Sequence, residues 1–190
     1  MSGLESPPSV RVVGGKGGIP LSPPLFLSIV YFAAIVVGTL LLRLPLAQEQ
    51  PVGWFEAFFT AVSATTVTGL TVVPTGASYS AFGEAVIAAL MQLGGIGLMI
   101  FAALILSSFG VGVGLQTQTA MQEELGRTSI ANLKDIMRRV VLFVVTLEFI
   151  GAAILAFAFI PALGWTDGLW NAVFHSISAT NNAGFDLTGS

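Results

Sequence analysis

The chain has 190 residues, of which 54% are hydrophobic and only 9% are charged, and its mean hydropathy is +0.88. A soluble domain carries about 25% charged residues, so most of this chain must face lipid or other apolar helices. The seven basic residues, against ten acidic ones, leave no nucleic-acid-binding surface, and the lack of cysteine excludes disulfide, zinc-finger and thiol chemistry.

Three apolar segments predict membrane-spanning helices. The first, 25–42, contains no charge, and as a helix of roughly 27 Å it just crosses the hydrocarbon core. The second, 81–109, is longer than the bilayer requires and should tilt or extend beyond it. The third, 137–160, is expected to end at Pro161. The sequence therefore predicts a multi-pass α-helical membrane protein.

The basic residues predict the orientation of these spans. All Lys and Arg residues except Arg43 lie in the segment 1–24, in the segment 111–136, or in the first turn of the third span. The positive-inside rule places these regions in the cytoplasm, with Arg43 at the outer face. We therefore expect 1–24 to be a cytoplasmic N-terminal tail that runs to the turn at Pro23-Pro24, and 111–136 to be a cytoplasmic linker.

Two further apolar segments, 54–69 and 169–184, are too short to cross a bilayer. Each begins with aromatic residues, continues with about ten helix-compatible residues and ends in small polar residues and glycine. This pattern predicts a half-helix that enters the membrane from outside, followed by non-helical chain that returns to the same side.

The two short segments also resemble each other. Aligned without a gap 115 positions apart, they share Ala57/Ala172, Phe59/Phe174, Ser63/Ser178, Ala64/Ala179, Thr65/Thr180 and Gly69/Gly184. With the flanking spans they form an internal repeat. The repeat unit is a transmembrane helix, a re-entrant pore helix with a filter strand, and a second transmembrane helix. It divides the chain into a first repeat, 25–110, and an incomplete second repeat, 137–190.

Non-helical backbone at membrane depth indicates an ion path. Its unpaired carbonyls cost several kcal/mol each in lipid and are tolerated only inside protein or along a water-filled path. The C-terminal end of a half-helix adds about half an elementary negative charge. Carbonyl groups and a negative helix end together suit a dehydrated cation.

The sequence resembles the bacterial Ktr/Trk potassium-uptake family, which is related to plant HKT transporters, and most specifically its KtrB-type membrane subunit. The resemblance covers the chain from Leu21 onward. It rests on the motifs ATTVTGL (64–70), GGIG (94–97), FHSISA (174–179) and NNAGFD (181–186).

In this family, one chain carries four such repeats around a pore, and each repeat contributes a filter strand with a key glycine. The resemblance implies that Gly69 and Gly184 are two of these glycines. It assigns K⁺ binding to the backbone carbonyls of Thr66, Val67, Thr68, Gly69, Asn181, Asn182, Ala183 and Gly184. The sequence stops at Ser190, and we expect it to be the N-terminal one and a half repeats of a longer polypeptide. A short protein that assembles several copies into one pore is the alternative.

The resemblance also implies partners and a location. It predicts a homodimer of membrane subunits in the bacterial plasma membrane, gated by a cytoplasmic ring of nucleotide-binding RCK subunits. It predicts K⁺ as the substrate, Na⁺ as a possible activator, and no covalent cofactor.

Several other residues allow two interpretations. The glycines of the GGIG motif suit close helix packing, or a hinge in the second span. Glu148, within the third span, is either a hydrogen-bonded packing residue or an ion or proton site. Glu56 and Glu84 either attract cations to the pore mouth or are simply solvated at the interface.

Enzyme chemistry is poorly supported by the residues. His175 and Ser178 share one helix face, as an intramembrane hydrolase would require, but Thr60 occupies the position of His175 in the first repeat, which favours packing. Asp167 and Asp186 both fall at the outer water boundary, so an aspartyl dyad is disfavoured. We expect a pore-forming subunit for K⁺ uptake that is not an enzyme. The alternatives are a secondary transporter of another cation or solute, and a membrane scaffold or hydrolase without an ion path.

Overall fold

Long apolar runs without internal turn signals form the main helices of the chain. The computed structural model describes residues 23–108 and 130–189. Its helices are α1 (Pro23–Leu42), α2 (Trp54–Thr65), the short α3 (Thr75–Ser78), α4 (Ala81–Ser108), α5 (Ile130–Leu163) and α6 (Trp165–Thr180), with a 3₁₀ turn at Pro45–Ala47. In this described part the only strand-like pairing is an isolated bridge between Gln48 and Tyr79. The chain is therefore mostly helical, as predicted.

Two helices are long and apolar enough to cross a bilayer, over Ala81–Ala102 in α4 and Met137–Leu163 in α5. Helix α1 adds a shorter apolar stretch, Leu27–Leu42. Large aromatic side chains on α5 are almost fully exposed, with Phe149 at 77% and Phe157 at 85%. Exposed apolar surface of this extent suits lipid or further protein rather than water.

The proline residues at 23 and 24 do not form the turn expected before the first span, because α1 begins at Pro23. The first N–H groups of a helix have no intrahelical acceptor, so proline loses no hydrogen bond there. The rest of the predicted tail, 1–22, lies outside the described residues. So does the part of the predicted linker 111–136 that precedes Ile130, where α5 begins.

The prediction that Pro161 ends the third span was wrong. Helix α5 continues to Leu163, and the N–H of Gly164 still donates to the carbonyl of Ile160 at 2.9 Å. A proline removes only its own N–H, so the neighbouring groups keep their bonds in the last turn. The chain turns instead at Gly164, where φ is +86° and a glycine is required. Helix α6 consequently starts at Trp165, before the predicted position 169.

Helix α2 ends in a closed cap rather than by fraying. After Thr65 the N–H of Val67 donates to the carbonyl of Ala64 at 3.2 Å, and the N–H of Thr68 donates to the carbonyl of Ser63 at 2.9 Å. This pair of bonds is the Schellman motif, which satisfies the last carbonyls of a helix. The residue that reverses the chain is Val67, with φ of +48°.

Helix α6 ends in the same way, 115 positions later. After Thr180 the N–H of Asn182 donates to the carbonyl of Ala179 at 3.0 Å, and the N–H of Ala183 donates to the carbonyl of Ser178 at 2.7 Å. Here Asn182 reverses the chain, with φ of +56°. The internal repeat found in the sequence therefore extends to the hydrogen bonds that end both short helices.

Helix α4 joins the two parts of the chain. It packs against α1 and α2 on one side and against α5 and α6 on the other. The cluster of buried apolar residues includes Ala61 and Ala64 of α2, Ile87 and Met91 of α4, and Phe174 of α6. The core thus lies where both short helices meet α4.

Two glycines of the GGIG motif allow this approach. A Cβ added at Gly94 would lie 2.1 Å from the carbonyl oxygen of Thr65, and one added at Gly95 would lie 2.0 Å from the side-chain oxygen of Asn181. The Tyr31 hydroxyl of α1 also donates to the Gly94 carbonyl at 2.6 Å. Of the two interpretations of this motif, the structure supports close packing against the ends of α2 and α6.

We predict that Gly94→Ala destabilises the protein, although alanine is the better helix former. The methyl group would meet the rigid backbone of Thr65, and such overpacking costs about 1–3 kcal/mol. Gly97→Ala is the matched control, because its methyl group would meet only side chains, those of Tyr31 at 3.2 Å and Leu27 at 3.6 Å. Thermal unfolding in detergent should show the larger loss for Gly94→Ala. Equal melting temperatures for the two variants would contradict the packing described here.

A second prediction concerns the cap of α6. Because a β-branched residue at positive φ is strained, Asn182→Val should lower the free energy of unfolding by about 1–2 kcal/mol. Asn182→Gly removes the same amide but carries no such strain, and should leave stability nearly unchanged. The comparison uses thermal or denaturant unfolding of both variants in detergent. A valine variant as stable as the glycine variant would show that this position does not reverse the chain.

Candidate functional site

The two segments that follow α2 and α6 meet each other. A Cβ added at Gly69 would lie 2.4 Å from the Ala183 carbonyl oxygen, and one added at Gly184 would lie 3.4 Å from the Cα of Gly69. Both glycines have positive φ, +76° and +75°. The backbones therefore pass each other at van der Waals distance, and at Gly69 a side chain has no room.

The first segment, Thr66–Gly69, has a polar open side. The hydroxyls of Thr66 and Thr68 are exposed and lie 2.7 Å apart, and the Thr66 hydroxyl also donates to the Val62 carbonyl at 2.8 Å. Val67 is half-buried and packs against the core. The segment is thus held mainly by contacts within its own helix end.

The second segment, Asn181–Gly184, alternates in burial. Asn181 and Ala183 are buried, whereas Asn182 and Gly184 are exposed. One side of the segment therefore faces the protein, and the other is open.

Asn181 is bonded to two other helices. Its Nδ2 donates to Oε1 of Gln92 in α4 at 2.8 Å and to Oε1 of Glu148 in α5 at 3.1 Å. Nε2 of Gln92 donates to Oε2 of the same carboxylate at 3.0 Å. Glu148, for which the sequence offers no basic partner, is therefore a hydrogen-bonded residue behind the second segment.

The residues considered for hydrolase chemistry form hydrogen bonds with other groups rather than with one another. The hydroxyl of Ser176 donates to the Glu148 carbonyl at 2.7 Å, and that of Ser178 donates to the Phe185 carbonyl at 2.8 Å. Nε2 of His175 lies 2.7 Å from Oδ1 of Asp186. These serines and this histidine therefore fasten α6 to its surroundings, in agreement with the packing interpretation.

The contact between His175 and Asp186 has an electrostatic consequence. The hydrogen bond from His175 lowers the pKa of Asp186 from 3.8 to about 2, and bonds from Thr188 act in the same direction against partial desolvation. Asp186 therefore remains negatively charged at neutral pH. Asp167 lies in the first turn of α6, about two turns before His175, whereas Asp186 follows the helix and is the aspartate that contacts His175.

The negative charge of Asp186 lies beside an open cavity of about 370 Å³. Both glycines, Gly69 and Gly184, line this cavity, together with the chain from Thr71 to Thr75 and Gly189. A cavity bordered by a carboxylate and by glycine backbone offers a cation an approach to both segments.

Of the two acidic residues considered near the outer face, Glu84 fits neither of its two interpretations. Glu84 is 8% exposed, and Nε1 of Trp170 donates to its Oε2 at 2.5 Å, so it is neither solvated nor open to cations. It joins α4 to α6. Glu56 lies in the first turn of α2, where the positive end of the helix dipole stabilises its negative charge.

Three features of the site were missed in the sequence: the chain reversals at Val67 and Asn182, the bonds between Asn181 and Glu148, and the contact between His175 and Asp186. For the bonds between Asn181 and Glu148, the only signal in the sequence was that an acidic residue in an apolar span requires hydrogen-bond partners. Which partners these are depends on how α4, α5 and α6 pack, and residue spacing does not reveal that.

Comparisons with known proteins identify the family. Residues 25–190 match the TrkH family, described as a cation transport protein. The chain is 43% identical over 169 residues to the Ktr system potassium uptake protein B of Bacillus subtilis, covering 89% of this chain and 38% of that protein. It is 38% identical over 172 residues to the protein of the same name from Vibrio alginolyticus, covering 90% and 37%.

A third relative is the potassium/sodium uptake protein NtpJ of Enterococcus hirae, 33% identical over 171 residues, which cover 89% of this chain and 38% of that protein. The chain thus spans less than two fifths of the length of these relatives. The family is one of transport proteins and not of enzymes, and its description agrees with the apolar helices α4 and α5. The resemblance found in the sequence motifs is confirmed: this chain belongs to the TrkH family of cation transport proteins and is a KtrB-type member of the Ktr/Trk superfamily.

Proposed function

We propose that this chain is part of the pore-forming membrane subunit of a potassium-uptake system, and that its two glycine segments are filter strands. The observation that carries the proposal is the contact of Gly69 with Ala183 and Gly184, at the C-terminal ends of two helices too short to span a bilayer. Two relatives are named potassium uptake proteins of the Ktr system, which supports K⁺ as the transported ion.

The chemistry of the segments supports a site for dehydrated K⁺. Thr66–Gly69 and Asn181–Gly184 supply backbone carbonyls, and both lie at the negative ends of helix dipoles. Carbonyl oxygens replace the hydration shell of K⁺ in filters of this kind. The ionised Asp186 beside the cavity adds a negative charge that attracts cations toward these segments.

The proposal includes a re-entrant arrangement of α2 and α6. Each enters the membrane from outside, reverses at its cap and returns through its filter strand. Helices α1 and α4 form the spans of a first repeat, and α5 is the first span of a second. The N-terminus lies in the cytoplasm of a bacterial cell, which follows from the positions of the basic residues. The remaining filter strands belong to further repeats of the whole protein.

The proposed assembly has further components. The relatives belong to a named Ktr system, which implies more than one subunit. We propose a homodimer of membrane subunits gated by cytoplasmic RCK-type nucleotide-binding subunits. Sodium enters the proposal as an activator or coupled ion, because one relative is named a potassium/sodium uptake protein.

We predict that Gly69→Ser weakens the discrimination of the whole protein between K⁺ and Na⁺. The side chain would lie against the Ala183 carbonyl and would also be strained at positive φ. The experiment measures uptake of both ions into cells that lack other potassium-uptake systems. The ratio of K⁺ to Na⁺ uptake should fall by about tenfold, which corresponds to about 1.4 kcal/mol.

Gly164→Ser is the matched control for this experiment. It also places a serine at a glycine of positive φ, +86°, but a Cβ there meets nothing within 4 Å. The control should retain the wild-type ratio. An unchanged ratio in Gly69→Ser, or an equal loss in both variants, would contradict the assignment of this segment as a filter.

A further inference from the structure

We propose that Glu148 and Gln92 are positioning residues that hold the second filter segment in the geometry that discriminates K⁺ from Na⁺. The inference rests on the proposed function, since it assigns the origin of selectivity within the same site. Neither residue belongs to a filter segment. Both act through Asn181, which is the C-cap of α6 and the first residue of that segment.

The three side chains form a closed set of hydrogen bonds. Nδ2 of Asn181 is shared by Gln92 and Glu148, at 2.8 and 3.1 Å, and Gln92 donates to the other carboxylate oxygen at 3.0 Å. Each carboxylate oxygen thus accepts one amide N–H. The set joins three helices at one point, so Asn181 cannot turn without breaking bonds to α4 and α5.

Asn181 has little freedom to find other partners. It is only 4% exposed, and the two hydrogens of its Nδ2 are shared among three acceptors, because the Ile177 carbonyl also lies within hydrogen-bond distance, at 2.9 Å. Its Oδ1 lies so close to Gly95 that any side chain there would collide with it. The amide therefore occupies a fitted space, and its orientation sets where the backbone leaves α6.

The first filter segment has no equivalent of this carboxylate. Thr66, which corresponds to Asn181 in the repeat, bonds to Val62 and Thr68 of its own helix end. The position 115 residues before Glu148 is Ala33. The carboxylate is therefore not a general requirement of the fold, and it serves the second segment alone.

The cost of the carboxylate argues for a role beyond packing. A carboxylate within a membrane-spanning helix is expensive and is by default a functional residue. Helices α5 and α6 already pack along each other, and Ser176 bonds to the backbone carbonyl of Glu148, which no side-chain substitution removes. An apolar residue at position 148 would keep this contact between the helices, but it would leave the amide N–H groups of Gln92 and Asn181 without the carboxylate acceptor.

The test compares ion discrimination in variants of the whole protein reconstituted in liposomes. Glu148→Ala should lower the ratio of K⁺ to Na⁺ uptake by about tenfold, as loss of an outer-shell partner does at other ion sites. Glu148→Gln keeps one acceptor for Asn181 and should retain more of the ratio. Glu84→Gln is the control, because it alters a buried carboxylate that bonds Trp170 instead, and it should retain the wild-type ratio.

A double variant tests whether the effect passes through Asn181. If Glu148 only positions this residue, adding Glu148→Ala to Asn181→Ala should lower the ratio no further than Asn181→Ala alone. Additive losses would overturn the proposal. If Glu148→Ala fails to fold, Gln92→Ala tests the proposal in its place. This variant removes the hydrogen bonds of Gln92 to Asn181 and Glu148 and must also lower the ratio of K⁺ to Na⁺ uptake.

The outcomes separate this inference from the proposed function. A wild-type protein that does not take up K⁺ overturns both. A wild-type protein that prefers K⁺, with Glu148→Ala or Gln92→Ala equally selective, overturns only the positioning role. A lower melting temperature with an unchanged ratio would show that the two residues serve packing alone.

Discussion

The arrangement of this protein depends on two helices that end inside it. The final carbonyls of α2 and α6 require partners, because a buried polar backbone group without a hydrogen bond is expensive. Identical caps supply these partners, through the N–H groups of Val67 and Thr68 and, in the repeat, of Asn182 and Ala183. The backbone carbonyls of the segment that follows each cap are then available to bind another partner. We propose that this partner is a transported cation, because the chain belongs to a family of cation transport proteins.

Helix α4 converts two separate helix ends into one site. Its adjacent glycines, Gly94 and Gly95, lie against Thr65 at the end of α2 and against Asn181 at the end of α6. Both positions must therefore hold a small residue if the ends of α2 and α6 are to lie this close to α4 and to each other. The two ends are held differently, however. The first relies on local hydroxyl bonds, and the second relies on a carboxylate and an amide from neighbouring spans. Under our proposal, this asymmetry makes ion selectivity sensitive to residues outside the filter.

Much of this fold could be predicted from the sequence because hydrophobicity and length limit what each segment can do. The internal repeat, the two short helices and the equivalence of Gly69 and Gly184 within the repeat all follow from patterns along the chain. Val67 as the reversing residue does not, since valine disfavours positive φ. The partners of Glu148 and His175 lie far away in sequence, so they depend on helix packing that periodicity does not specify. Pro161 misled the prediction because a proline near a helix end removes only one hydrogen bond.

The most direct test of the ion path locates a heavy potassium analogue in the whole protein. Crystals grown with Rb⁺, measured at its absorption edge, report the ion by its anomalous scattering. The account predicts an anomalous peak in contact with the backbone carbonyls of Thr66–Gly69 and Asn181–Gly184, between the ends of α2 and α6. A peak bound elsewhere, with none between these two segments, would contradict it.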